Sequence, residues 1–240
     1  MRYRYERKYF LNTHTAAVLR GRAAAVMRPD AHSGGVYVVN NLYLDDMYGS
    51  FYLDKQLGSI RREKYRVRHY NNDLSFIRLE RKVKNGLVSY KENARITAEQ
   101  YEMIRKGEFA FALEAGDPLL ESLGALHNLR TLRPAAEFSY IREAYIYGPG
   151  NVRVTFDSQI GGDIPGFPPD NWTPPGPGGM VEVKYDGFLP SVISDLLGGL
   201  PIVWTDMSKY CYVYERERGL WSYAGKSMGN YIKHHAGRES

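Results

Sequence analysis

The sequence predicts an α+β protein built on one antiparallel sheet of about eight strands, closing into a β-barrel around a basic tunnel with helices packed outside. Three observations lead there. Short runs with period-two alternation recur along the chain, separated by turn residues, which is the signature of strands with two unlike faces. The charged residues of each run share one parity and are mostly Arg and Lys. Helical stretches fall between the strands and need an apolar face to pack on, which leaves the charged faces to turn inward if the sheet closes. A flat sheet with one solvated face would alternate in the same way, but solvated faces usually mix Ser, Thr, Gln, Glu and Lys, and these do not.

The elements follow in order. Arg2 to Leu11 alternates and predicts a strand. Thr13 to Met27 is Ala-rich, has capping hydroxyls at Thr13 and Thr15, and stops before Pro29, as a helix would. Val36 to Asp45 is a second strand. Residues 64–70 and 75–84 are two more, joined by Asn71-Asn72-Asp73. A short strand over Gly86 to Lys91 follows the Asn85-Gly86 hairpin signal. Thr97 and Gln100 form a capping-box pair at the head of a helix that Gly107 ends. Asp117-Pro118 opens another helix reaching about Leu132. Strands return at Ala136 to Tyr147 and Asn151 to Asp157. Residues 158–179 are so rich in Gly and Pro that they predict a loop. Met180 to Tyr185 is a strand, Pro190 to Leu197 a helix, and Lys209 to Glu215 (KYCYVYE) a last strand. The predicted domain is 1–215, with a polar tail over 216–240.

Composition narrows the function. The 240 residues carry a net charge of +5, which suits an anionic ligand without choosing among nucleic acid, phosphate and other polyanions. The single cysteine, Cys211, excludes an intramolecular disulfide and a cysteine-based zinc site, and fits a reducing compartment. The first residues carry no apolar signal segment, and no run of 18 or more apolar residues occurs, so the expectation is a cytoplasmic protein without membrane insertion.

The charged parities then become specific. Arg4, Glu6 and Lys8 share a face, as do Arg66 and Arg68; Arg78, Glu80, Lys82 and Lys84; Tyr140 and Arg142; Arg153, Thr155 and Asp157; and Glu182 and Lys184. Enclosing so many cations is costly unless anions fill the space. The expected guest is linear, polyanionic and rich in oxygen acceptors, so a chain of phosphates fits best. The few acids suit a divalent metal bridging carboxylate and phosphate oxygens. A nucleic-acid interface ranks last, because the tyrosines fall mostly on the apolar parity and make poor stacking platforms. His69 lies on that parity too and is expected on the outer face.

Seven segments in order, RYERKYFL, KYRVRHY, LERKVKNGLVSYKENARI, YIREAY, VRVTFDSQI, MVEVKYDGFLP and SKYCYVYE, resemble the polyphosphate polymerase domain of the vacuolar transporter chaperone (VTC) family, within the triphosphate tunnel (CYTH-like) metalloenzymes. The resemblance spans roughly residues 1–215. It implies transfer of the ATP γ-phosphate to a growing inorganic polyphosphate chain or pyrophosphate, with release of ADP and dependence on Mn²⁺ or Mg²⁺. By motif, it implies catalytic roles for Lys8, Arg142, Arg153 and Lys209, substrate contacts from Arg66, Arg68, Lys82, Lys91, Tyr140 and Lys184, and a metal-binding Glu182. The first strand departs from the wider superfamily: Glu6-Arg7-Lys8 carries a single acid where many relatives have two alternating glutamates, which favours the polymerase branch over two-metal water activation. A tripolyphosphate or nucleoside triphosphate hydrolase on the same scaffold, and a non-catalytic polyphosphate-binding module, remain as alternatives. The family's sensing domain and membrane helices are expected to be absent, so export of a product would need a membrane partner that the sequence does not identify.

Overall fold

The alternating runs do form strands, and they do so within a single sheet. A computed structural model of the chain describes residues 4–31, 35–86, 88–162 and 179–218. In chain order the elements are β1 (Arg4–Leu11), α1 (Thr13–Val26), β2 (Arg28–Pro29), β3 (Val36–Asp45), α2 (Ser50–Gln56), β4 (Arg61–Tyr70), β5 (Asp73–Asn85), β6 (Val88–Ile96), α3 (Ala98–Lys106), α4 (Pro118–Arg130), β7 (Arg133–Tyr147), β8 (Val152–Gly162), β9 (Gly179–Asp186), α5 (Ser191–Leu197), β10 (Val203–Trp204) and α6 (Lys209–Glu217). The strand order is β10-β1-β9-β8-β7-β3-β4-β5-β6, with β2 attached to β7, and the ladders are antiparallel.

Local chemistry accounts for the boundaries. Asn12 caps α1 by accepting from the Thr15 N–H, and Thr97 with Gln100 completes the capping box of α3. Asn71 and Asn72 both take positive φ, 52° and 57°, as a two-residue hairpin turn between β4 and β5 requires.

The apolar parity packs outward against helices. Leu19 and Ala23 of α1 and Ile193 and Leu196 of α5 meet Val154, Phe156, Val181 and Val183. Ile104 of α3 and Leu120 and Leu123 of α4 meet Leu42, Val67, Ile77 and Leu79. His69 lies on this outer face, edge-on to Tyr101.

Several expectations are corrected. The barrel is not closed: among the described residues the sheet is an open path with β10 and β6 as its edges. No ladder joins β6 to β1 or β10 among the described residues. A side-chain contact spans the gap instead, Glu6 Oε2 to Lys82 Nζ at 3.8 Å. The KYCYVYE segment is a helix, α6, not a strand. Its Tyr210, Cys211, Tyr212, Val213 and Tyr214 are all buried, so the residue alternation carried no information about exposure. Nor does α6 join the outer helices. It packs on the charged side of the sheet, against Tyr43, Phe138 and Tyr140. The start of the 158–179 segment extends β8 to Gly162, and β6 runs on to Ile96. Residues 163–178 and 219–240, which hold the rest of the expected loop and most of the expected tail, lie outside the described residues. No helix among the described residues is long and apolar enough to cross a membrane.

Candidate functional site

The register brings the charged parities of distant strands onto one concave wall. Tyr43 pairs with Arg66, Arg66 with Glu80, and Lys82 with Lys91 across β3 to β6. Arg142 pairs with Asp157, Thr155 with Glu182, and Glu182 with Lys8 across β7, β8, β9 and β1. The wall encloses a cavity of about 460 Å³, and α6 contributes Lys209 to it. Ten of the eleven residues named from the sequence line this space: Lys8, Arg66, Arg68, Lys82, Lys91, Tyr140, Arg142, Glu182, Lys184 and Lys209. Arg153 stands apart. Its guanidinium is anchored to Asp30 Oδ2 and Tyr37 OH, both at 2.8 Å.

One half of the cavity is a network around two buried carboxylates. Arg142 grips Asp157 with two donors, Nε to Oδ1 at 2.6 Å and Nη2 to Oδ2 at 2.7 Å. Lys209 Nζ lies 2.6 Å from Asp157 Oδ2 and 2.7 Å from Glu182 Oε1. Lys184 Nζ lies 3.1 Å from Glu182 Oε2. Burial alone would raise both acids, but the Arg142 and Lys209 charges hold Asp157 low, and Lys209, Lys184, Lys8 and Arg142 hold Glu182 well below the carboxylate range. Burial likewise opposes the charge on Lys209, and Asp157 and Glu182 override it, lifting the ammonium above its ordinary value. Lys209 is the first residue of α6, where a cation opposes the helix dipole. The two carboxylates offset that cost.

The other half is built on Glu80, which is 3% exposed. It takes Arg66 Nη2 at 2.6 Å and pairs with Lys91. Burial would raise its carboxyl, yet Arg66, Arg68 and Lys91 hold it down to about 2. Arg66 Nη1 also donates to Tyr43 OH at 2.9 Å. Against burial, Arg66, Arg68 and Lys64 lower that phenol to about 8. Arg68 differs in kind. It is buried, but the groups it donates to are neutral: Asn41 Oδ1 at 2.9 Å from Nε and Tyr140 OH at 3.2 Å from Nη2. A buried guanidinium held by neutral acceptors is a seat for an anion. At the β1 rim Lys8 Nζ meets Glu6 Oε1 at 3.0 Å, and Lys8, Lys184 and Lys82 outweigh burial to bring Glu6 to about 2.

The sequence reading missed the parts played by Glu80, Asp157, Tyr43, Asn41 and Lys64. Parity did place Glu80 and Asp157 on the charged face. What it lacked was the register that sets each acid against its cations.

Among the described residues, no three of His, Cys, Asp and Glu are gathered to hold a metal. Both oxygens of Glu182 are engaged by ammonium groups. A site of this kind does not fit a metal held by protein alone. It does fit one that arrives with phosphates, since Mg²⁺ is commonly bound through one or two carboxylates while phosphate oxygens and water supply the rest. Glu182 and the neighbouring Glu6, whose charges oppose each other across β9 and β1, are the donors at hand.

The family described as VTC domain matches residues 3–216. No curated protein sequence matches the chain. Among solved structures, a Hippeastrum protein assigned as an adenylyl cyclase, and described as having a dominant triphosphatase activity, shares 14% identity at a TM-score of 0.56, over 90% of this chain and 96% of that one. A Pyrococcus horikoshii protein shares 13% identity at a TM-score of 0.50, over 89% of this chain and 99% of that one. At such identities the likeness is one of fold.

Proposed function

The chain belongs to the VTC domain family, of the triphosphate tunnel fold, and from that premise we propose that it is a metal-dependent polyphosphate polymerase. It transfers the γ-phosphate of ATP to the end of an inorganic polyphosphate chain or pyrophosphate and releases ADP. The observation that carries the reading is the convergence of cations from β1, β4, β5, β6, β7, β9 and α6 on one cavity, with Arg68 buried against neutral acceptors.

The reaction asks for alignment and charge neutralisation more than for covalent help. Arg66, Arg68, Lys82 and Lys91 bind the triphosphate, with Glu80 and Tyr43 fixing the Arg66 fork. Arg142, Lys209, Lys184 and Lys8 face the γ-phosphate and the acceptor end, and Tyr140 supports Arg68. Arg153, which the resemblance implied as catalytic, lies outside the cavity lining and is anchored to Asp30. A terminal oxygen of the acceptor attacks the γ-phosphorus. The new P–O bond forms as the bond to the β,γ-bridging oxygen breaks, and ADP leaves with that electron pair. The attacking oxygen is already ionised, so no general base is needed, and among the described residues no histidine lines the cavity. Glu182 and Glu6 would hold Mn²⁺ or Mg²⁺, which when bound neutralises charge on phosphate oxygens.

Incubation with ATP, Mn²⁺ and pyrophosphate tests this directly. Long chains together with ADP are expected. Orthophosphate as the dominant product would replace the polymerase with a hydrolase, the reading favoured by the triphosphatase activity described for the Hippeastrum structure. Binding without turnover across several metals would leave a polyphosphate-binding module.

A further inference from the structure

Helix α6 brings Lys209 into the cavity, yet its own start is weakly secured. Ser208 stands at the N-cap, and its side chain makes no capping bond. It accepts instead from Lys64 Nζ at 2.9 Å. Uncapped N–H groups and a cation in the first turn both weaken a helix of nine residues. Something else must fix where this helix begins, and the side chain next to Lys209 does so.

Tyr210 is 1% exposed, and its hydroxyl donates to Asp45 Oδ2. Asp45 ends β3 and is buried as deeply. Its carboxylate is committed on every side. Oδ1 accepts from the N–H groups of Asp46 and Phe51, both at 2.9 Å, and Oδ2 accepts from the Tyr52 N–H at 3.0 Å as well as from Tyr210. Three of these donors are backbone groups at the junction of β3 and α2, so the carboxylate cannot follow the tyrosine if the helix drifts. The Tyr210 ring stacks on Tyr43, centroid to centroid 4.9 Å, and Tyr43 in turn takes Arg66 Nη1. One residue earlier, Lys209 reaches Asp157 and Glu182. The phenol therefore ties the fixed end of β3 to the helical turn that carries a cation of the γ-phosphate half, while its ring backs the Arg66 half.

We propose that Tyr210 is a positioning residue: anchored on Asp45, it fixes the first turn of α6 so that the Lys209 ammonium meets the transferring phosphoryl group. Tyr210 is absent from the described residues that line the cavity, so it acts through Lys209. The inference rests on reading the cavity as a phosphoryl-transfer site. A misplacement of about 1 Å at a reacting centre can cost on the order of a hundredfold in rate. An interaction made only in the transition state shows in kcat and leaves KM nearly alone.

Steady-state ADP release from ATP, with thermal unfolding of the same preparations, tests it on the wild type, Tyr210→Phe, Asp45→Asn and Tyr52→Phe. The last is the control. The Tyr52 hydroxyl donates to Glu215 Oε1 at 2.9 Å near the other end of α6, so its loss removes a bond of the same kind from the same helix. Tyr210→Phe keeps the stacked ring and loses only the hydroxyl. Its kcat is expected to fall at least about tenfold, with KM for ATP within about twofold of the wild type. Tyr52→Phe should lower the unfolding midpoint comparably and leave kcat within about twofold. Asp45→Asn loses the charge that caps α2 but keeps a polar group opposite the Tyr210 hydroxyl, so it should be less stable than Tyr210→Phe and yet retain more of kcat. An unchanged kcat in Tyr210→Phe, a rise in KM alone, equal losses of kcat in the two tyrosine variants, or kcat values that track the unfolding midpoints would each overturn the proposal. Failure of Tyr210→Phe to fold would overturn it too, since the role would then be structural. If Asp45→Asn does not fold, the two tyrosine variants decide. ADP release is read apart from the fate of the phosphoryl group. Orthophosphate in place of chains overturns the polymerase reading, and the kcat comparison still decides the positioning role. A wild type that releases no ADP overturns both.

Discussion

Glu80 and Tyr43 hold the Arg66 guanidinium from two sides, and each makes that cation do something measurable. Glu80 is ionised because Arg66, Arg68 and Lys91 surround it, so its carboxyl sits at about 2 in the folded chain against an ordinary 4.5. The stabilisation is complete above 4.5 and is lost as pH falls through about 2, and it amounts to on the order of 3 kcal/mol. Glu80→Gln is expected to lose about that much stability at neutral pH and little in strong acid, as urea unfolding at the two extremes would read. Tyr43 reports the same field with the opposite readout. Its phenol, at about 8 against an ordinary 10, ionises first in the folded state, so stability rises as pH climbs from about 8 to 10. A tyrosinate absorbance step near pH 8 should appear in the free protein, vanish in Tyr43→Phe, and move to higher pH when tripolyphosphate is bound. Parity alone put Arg66, Arg68, Arg142 and Glu182 on one wall. Which cations are already compensated was not legible, because the partners of Arg142 and Lys209 lie on other strands and only the three-dimensional register matches them.

At the scale of elements, α6 marks where pattern reading failed and why. Period two distinguishes a strand only when one face is wetter than the other, and a segment buried on nearly every side offers no such contrast. α2 differs, since only its Phe51 is buried; Asp45 and Asp46 cap it from several residues upstream, accepting from the N–H groups of Tyr48, Ser50, Phe51 and Tyr52. Removing the charge that α6 brings leaves Asp157 and Glu182 buried with fewer counterions. Lys209→Met is therefore expected to cost about 3–5 kcal/mol in denaturant unfolding, the scale of a broken buried ion pair. Gly179, which starts β9 beside Asp157, is a second sensitive point. Its φ is +88°, and a Cβ there would lie 2.3 Å from the Asp157 carbonyl oxygen. Gly179→Ala should lower stability by at least about 2 kcal/mol, and the substitution should also loosen the Asp157–Arg142 clamp, seen as reduced turnover in the ATP assay. The outer helices were legible because α1, α3 and α4 carry sequence-local caps or a first-turn proline.

For the whole molecule, the strands, their antiparallel pairing and the inward charged wall were all written in alternation and parity. Closure was not, since alternation and parity say nothing about whether the two edge strands meet. An enclosed wall with surplus cations makes the free protein less stable than the loaded one, by mass action on the folded state. Tripolyphosphate is expected to raise the thermal midpoint by several degrees, and high salt to shrink that gain. A shift that salt leaves unchanged would contradict a site dominated by charge. The position of α6 reaches beyond stability. Lys209 bonds to the β8–β9 half through Asp157 and Glu182, while the next residue, Tyr210, bonds Asp45 at the end of β3. During synthesis the whole sheet emerges before this clasp exists. Until α6 is translated, Asp157 and Glu182 each lack one of their counterions, and the cationic wall stands open on that side to any other polyanion nearby.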